Sequence, residues 1–323
     1  MALPRRTLLQ IVAAAAAAPA LLRTALALDY PTRPVHIVVT IPPGLAPDVV
    51  ARLIAAPLSS RLGQSIVIDS RPGAGGNIGT ESVVRAPADG YTLLLVISGN
   101  AANNALYPNL SFNFVHDIAP VAFLGFTPFV VLVNPSLPVK SIPELIAYAK
   151  ANPRKINWGS PGAGTAPHLS GELFKMMTGV DIVHVPYRGS YIPDLLGGQV
   201  QISFTAAAGI AGYVGSGQLR ALAVTSAKRL EALPDLPAIN ESVPGYEGSG
   251  WLGIGAPKDT PAEIIERLNA EINAIVANPD MKARFVGQGV EPELMTPAQF
   301  GKLIAQAADK WAKVIRFANI RGE

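Results

Sequence analysis

The feature that most limits what this chain can become is a recurring pattern. A short β-branched apolar run meets a Gly/Pro-rich break, and an apolar series at helical spacing follows. Val35 to Thr40 is the first run, ended by Pro42-Pro43-Gly44. Asp48 to Leu62 then carries Val49, Leu53, Ile54, Leu58 and Leu62 on one helix face. Ser65 to Ile68 reads as a strand, Arg71 to Asn77 as a glycine-rich loop, and Ile78 to Arg85 as a helix. Asp89-Gly90 turns into the apolar strand Tyr91 to Ile97. The pattern restarts at strand Phe129 to Val133, helix Ser141 to Ala151 and strand Ile156 to Trp158. A second glycine-rich loop, Gly159 to Thr165, feeds a helix over Ala166 to Met177. Strands at Ile182–Val185, Val200–Phe204 and Leu219–Thr225 follow, then helices Pro261–Ala277 and Pro297–Asn319. Repetition of this kind predicts an α/β fold whose mostly parallel sheets are flanked by helices.

Length and charge refine that expectation. A chain of 323 residues exceeds one average domain, so two lobes are expected. The formal charge of +3 comes from one segment: residues 1–27 hold Arg5, Arg6 and Arg23 and no acid. Without them the chain has 23 basic and 23 acidic residues, which speaks against a sequence-independent nucleic-acid binder. That segment reads as a signal peptide, with a basic start, an apolar core from Leu8 to Leu22 and a small-residue site at Ala25-Leu26-Ala27. Arg5-Arg6-Thr7-Leu8-Leu9-Gln10 also resembles the twin-arginine export motif. The absence of Cys removes disulfides, thiolate nucleophiles and Cys-ligated metals.

Two breaks, Pro42 to Asp48 and Gly159 to Thr165, share the layout strand, Gly/Pro turn, helix. Glycine permits close approach of a ligand to the backbone, and a helix start offers free N–H groups and a positive dipole end. The residues read equally as anion cradles or as plain connections with turn glycines. Gly73 to Gly79 misses the dinucleotide pattern because Ile78 stands where the last glycine belongs, and no Walker motif occurs. There is no G-x-S-x-G, no H-E-x-x-H, and the four histidines are scattered, so no catalytic or metal centre is indicated. His168, one turn into the helix after the second loop, reads as a polar wall of a site or as a satisfied core histidine. Asp48 and Arg52, at i and i+4, read as a helix ion pair.

Taken in order, the motifs resemble one family. They are Tyr30-Pro31-Thr32-Arg33-Pro34-Val35, Pro43-Gly44 with Asp48 and Ala51-Arg52, Arg71 to Gly79, and Ala88-Asp89-Gly90-Tyr91-Thr92-Leu93-Leu94. Gly159 to Thr165 with His168-Leu169, Val185-Pro186-Tyr187-Arg188-Gly189, Leu195 to Val200 and Leu219 to Thr225 complete the series. The chain resembles the Bug family of extracytoplasmic solute receptors, the binding component of tripartite tricarboxylate transporters. The resemblance implies a monomeric, two-lobed periplasmic binding protein of type II-like architecture, with a small organic carboxylate held between the lobes and membrane permease subunits as partners. No cofactor, metal or catalytic residue is called for. It further implies lobe 1 over 28–128 plus 254–323 and lobe 2 over 129–253. Carried over residue by residue, the ligand-binding positions are Pro43, Gly44, Leu45, Ser160, Gly162, Gly164, Thr165 and His168. Ser98, Asn100, Thr205 and Ala206 would line the remainder.

Three departures stand out from the family pattern. Leu45 replaces a second glycine, Thr205 stands where many members have an acid, and the stretch from Ser190 to Pro193 is shorter. Leu45 and Thr205 together suggest a mono- or dicarboxylate with an apolar or aromatic portion rather than an amino acid. A sensing receptor of the same fold and a periplasmic enzyme are the alternatives to uptake.

Overall fold

The computed structural model describes residues 29–322; the expected signal peptide, residues 1–27, lies outside them. The first run of elements is β1 (Val35–Val39), α1 (Ala46–Leu62), β2 (Ile66–Ser70), α2 (Asn77–Val84), β3 (Thr92–Ile97), α3 (Ser98–Leu106), the single turn α4 (Phe114–Asp117) and β4 (Ile118–Thr127). The second is β5 (Phe129–Val133), α5 (Ile142–Ala151), β6 (Asn157–Ser160), α6 (Ala166–Thr178), β7 (Val183–Pro186), α7 (Ile192–Gly197), β8 (Ile202–Ala206), α8 (Ala211–Gly215) and β9 (Arg220–Val224). The chain then returns through β10 (Gly250–Pro257) to α9 (Ala262–Val276), α10 (Pro279–Gly287) and α11 (Pro297–Ala318).

Two five-stranded sheets result, ordered β2-β1-β3-β10-β4 and β7-β6-β8-β5-β9. In each, four strands point one way and one points the other: β10 in the first, β5 in the second. The expectation of mostly parallel sheets therefore meets one antiparallel strand per sheet. If β6, β7, β8 and β9 are counted as strands one to four, the wiring of the two sheets is the same. Both place their first strand between the second and third, with the reversed strand before the fourth. The expected boundary after residue 253 falls inside β10, which pairs in the first sheet from Gly250 onward. Between β4 and β5 only Pro128 intervenes, so this crossing is short.

The helices are amphipathic for identifiable reasons. In α9, Ile264, Leu268, Ile272 and Ile275 recur at helical spacing and are buried. A capping box of Thr296 and Gln299 opens α11, and Phe300, Ile304, Ala307, Trp311 and Val314 form its buried face. This last helix packs on α3 and β4 of the first half and on α6 of the second. Lys310 reinforces the bridge, donating from Nζ to the Glu247 carbonyl (2.8 Å) and to Glu247 Oε2 (2.7 Å). One apolar core runs continuously from Val96 and Phe123 to Trp158 and Phe204, so the two halves are joined by packing as well as by chain crossings.

Close packing makes particular glycines necessary. Gly171 of α6 lies flat against the fully buried indole of Trp158, so any Cβ there would overlap the ring. Gly171→Ala improves intrinsic helix propensity by about 1 kcal/mol. The overlap outweighs that gain, because overpacking a dense core costs roughly 1–3 kcal/mol. The variant is expected to unfold at lower temperature than the parent, and calorimetry showing an equal or higher Tm would refute this reading of the contact.

Candidate functional site

A cavity of about 530 Å³ opens between the two sheets. The first half contributes Thr40 to Pro42, the start of α1, the loop around Gly75 and Gly76, and the start of α3. The second half contributes Phe129, Ala163 to Ala166 and Ala206. A larger groove of about 950 Å³ lies elsewhere, between Tyr107 to Ser111 and the C-terminal residues Ile315 to Gly322. The first cavity is the one at the carboxyl ends of β1 and β6, where each chain goes to one neighbour and later returns to the other. Open α/β sheets bind ligands at such switch points.

The two loops at these strand ends are built alike. The sequences read Gly44-Leu45-Ala46-Pro47-Asp48 and Gly164-Thr165-Ala166-Pro167-His168. Both glycines have positive φ, +86° and +74°. Both following residues are extended N-caps, at φ −77°, ψ 155° for Leu45 and φ −67°, ψ 157° for Thr165. The Gly44 N–H donates to Asp48 Oδ2 (2.9 Å), and the Gly164 N–H donates to His168 Nδ1 (2.9 Å). Neither helix has a side-chain hydrogen bond at its N-cap; Thr165 Oγ1 donates to the Gly162 carbonyl instead (2.7 Å). The first bonds into the helices are made by Val49 and Leu169. The amides of Ala46 and Ala166, both in the lining, thus stay available at the positive ends of two helix dipoles facing one cavity.

Asp48 is buried yet ionised. Burial pushes its carboxyl upward, but the Arg52 guanidinium at 3.0 and 3.1 Å and the Gly44 N–H outweigh this and hold it below its ordinary value. His168 stacks on His184 with ring centroids 3.8 Å apart, and His184 lies 4.5 Å from the Trp158 ring. Burial, reinforced by the mutual proximity and by Lys175, lowers His168 to about 3. Burial and Lys175 lower His184 to about 4. Both rings are neutral at neutral pH. His168 therefore uses Nδ1 as an acceptor beneath the loop, while His184 Nε2 meets Ser160 Oγ at 2.6 Å.

Of the positions expected from the sequence, Ser98, Gly164, Thr165 and Ala206 line the cavity. Pro43, Gly44 and Leu45 form the rim, and Leu45 is 52% exposed. Ser160, Gly162 and His168 lie behind the second loop and hold its shape. Asn100 is buried, with Oδ1 accepting from the Ile97 N–H (2.8 Å) and Nδ2 donating to Thr80 Oγ1 (3.1 Å). Thr205 is also turned inward, bonded to Tyr191 and Ser203. The lining also includes Thr40, Ile41, Ile97, Leu106, Phe129 and Trp251, together with the glycine loop at 73–76. That loop was visible as a motif, but its failure as a nucleotide fingerprint gave no hint of its place here. Among the described residues, no Lys, Arg, His, Asp or Glu lines the cavity.

Residues 50–320 match the family described as "Tripartite tricarboxylate transporter family receptor". The chain belongs to this family, whose members are solute-binding receptors. It is 38% identical to the protein BugT of Bordetella pertussis over 292 residues, covering 89% of this chain and 90% of that one. Among solved structures, the R. palustris protein Rpa4515 with adipate is 40% identical, with a TM-score of 0.77 over 91% of this chain and 99% of that one. MatC from Rhodopseudomonas palustris with bound malate is 29% identical, with a TM-score of 0.73 over 88% of this chain and 100% of that one.

The buried histidines make the second loop acid-sensitive. Both have folded-state values below the ordinary 6.5, so the unfolded chain binds more protons between about pH 6.5 and the folded values of about 3 and about 4. Their contribution to stability is complete above pH 6.5 and is lost as pH falls through that window, by a few kcal/mol at about pH 4. Denaturant titrations from pH 7 to 4 are expected to show this decline, with a shallower slope in His184→Gln. A parent slope unchanged by that substitution would contradict the assignment.

Proposed function

We propose that this chain is a periplasmic receptor. It captures a small organic carboxylate between two lobes, then hands it to the membrane permease subunits of a tripartite tricarboxylate-type transporter. The lobes in this reading are residues 29–128 with 250–322, and residues 129–249. An N-terminal signal peptide directs export. The observation that carries the reading is a pair of matching, uncapped helix starts walling one cavity free of charged side chains. The solved relatives with adipate and malate support a carboxylate as ligand.

Backbone amides would hold the carboxylate. A hydrogen bond to a charged group contributes roughly 1.5–3 kcal/mol, and micromolar affinity requires about 8 kcal/mol. A few such bonds plus apolar burial therefore suffice without a buried Arg. Ile41, Ile97, Leu106, Phe129 and Trp251 suit an apolar body. An ammonium would lose its hydration with no acid in the lining to replace it. Amino acids are disfavoured on this ground, rather than through Leu45 and Thr205, which do not line the cavity.

Binding is expected to draw the lobes together by population shift. Mass spectrometry of protein purified natively from periplasm should release a small organic acid. In thermal-shift assays, about a hundredfold excess over Kd should raise Tm by several degrees. Stabilisation by aspartate or glutamate, with none by adipate, malate or benzoate, would overturn the proposed ligand class.

A further inference from the structure

Seven buried side-chain atoms among the described residues have no protein hydrogen-bond partner, and Thr40 Oγ1 is the one whose residue lines the cleft. Thr40 is 3% exposed and follows directly on Val39, the last residue of β1. It therefore stands at the carboxyl end of the central strand, at the switch point between β2 and β3.

Glycines border its side chain on two sides. A Cβ on Gly76 would come within 3.0 Å of Thr40 Oγ1, and a Cβ on Gly79 within 3.0 Å of Thr40 Cγ2. Two glycines thus clear space for this side chain, one beneath the hydroxyl and one beneath the methyl. A β-branched residue has few rotamers to begin with. No protein group pairs with the hydroxyl in the position it takes. The Gly76 carbonyl accepts from Thr80 Oγ1 at 2.9 Å and not from Thr40. A buried hydroxyl with no partner is destabilising, and folds rarely retain one without a use.

We infer that Thr40 is a ligand-binding residue whose hydroxyl donates a hydrogen bond to an oxygen of the captured carboxylate, and that it contributes to specificity. This rests on the receptor reading above. Gly76 acts as a positioning residue, since a Cβ there would press on the threonine hydroxyl and Cβ, while a Cβ on Gly79 would meet the Arg71 carbonyl as well as the threonine methyl. The hydroxyl also supplies a polar contact that an uncharged lining otherwise provides sparingly, alongside Ser98, Thr127, Thr165 and Gln288.

Thr40→Val is nearly isosteric and tests the assignment. Titration calorimetry with adipate, malate and benzoate first identifies which acid the parent binds most tightly. The valine variant is expected to bind that acid roughly ten- to hundredfold more weakly. Its ligand-free Tm should match or exceed the parent's, because an unpartnered hydroxyl has been removed. Thr40→Ser, which keeps the hydroxyl, should stay within a few-fold of parental affinity.

Valine binding as tightly as threonine would overturn the assignment while leaving the receptor reading intact. A ligand-free Tm lowered by several degrees in Thr40→Val would also overturn it, because the hydroxyl would then be part of the fold. A parent that binds none of these acids, and releases none in the mass spectrometer, removes the receptor reading and this inference with it.

Discussion

The structure turns on one short contact made twice: a loop glycine N–H bound by a side chain four residues further on. In the first half Asp48 accepts from Gly44, and in the second His168 accepts from Gly164. Each contact fixes a glycine at positive φ and sets the next residue as an extended N-cap, so the helix begins pointing its free amides away from the loop. A capping side chain at Leu45 or Thr165 would consume those amides. Leucine cannot do so, and the threonine hydroxyl is committed to Gly162. The two halves thus reach the same backbone geometry with chemically different acceptors, a carboxylate braced by Arg52 and a neutral imidazole braced by stacking.

That equivalence extends to the sheets. The two loops follow the first parallel strand of sheets with the same order, so each helix start leaves its sheet at the same point. The reversed strands β10 and β5 lie beside the crossings and keep those points facing one cavity. α11 and the shared apolar core hold the halves together away from the opening.

Much of this could be read from the residues. Apolar periodicity located β1, α1, β3, β5, α6, α9 and α11 within a few residues. The strand β4 escaped because Ile118-Ala119-Pro120 opens it with a residue that usually breaks strands. α3 escaped because Ser98-Gly99-Asn100-Ala101 has the composition of a turn. At the site, the i, i+4 pairing of Asp48 and Arg52 was readable, but the reach of Asp48 back to Gly44 was not. Periodicity says nothing about a side chain that turns toward the preceding loop. Nor could it show that Asn100 and Thr205, each next in sequence to a lining residue, turn inward to internal hydrogen bonds. Thr40, which no motif marked, belongs to the cavity lining, in space that two glycines distant in sequence leave open.

The charge distribution then has a physical consequence. Residues 28–323 hold 23 basic and 23 acidic side chains, so no formal excess of positive charge draws an anion in, and no charged residue among those described lines the cavity. Attraction is short-ranged, from amide dipoles that matter once water is excluded and the local dielectric falls. A surface arginine would hold an acid in the open state almost as well as in the closed one. In the proposed receptor, backbone amides distributed over two lobes would be completed only when both helix starts approach the same carboxylate. Differential affinity for the closed state is what allows a ligand to shift that equilibrium. Reversal in that receptor would require only that the lobes part, since no charged side chain lines the cavity to form an ion pair with the acid.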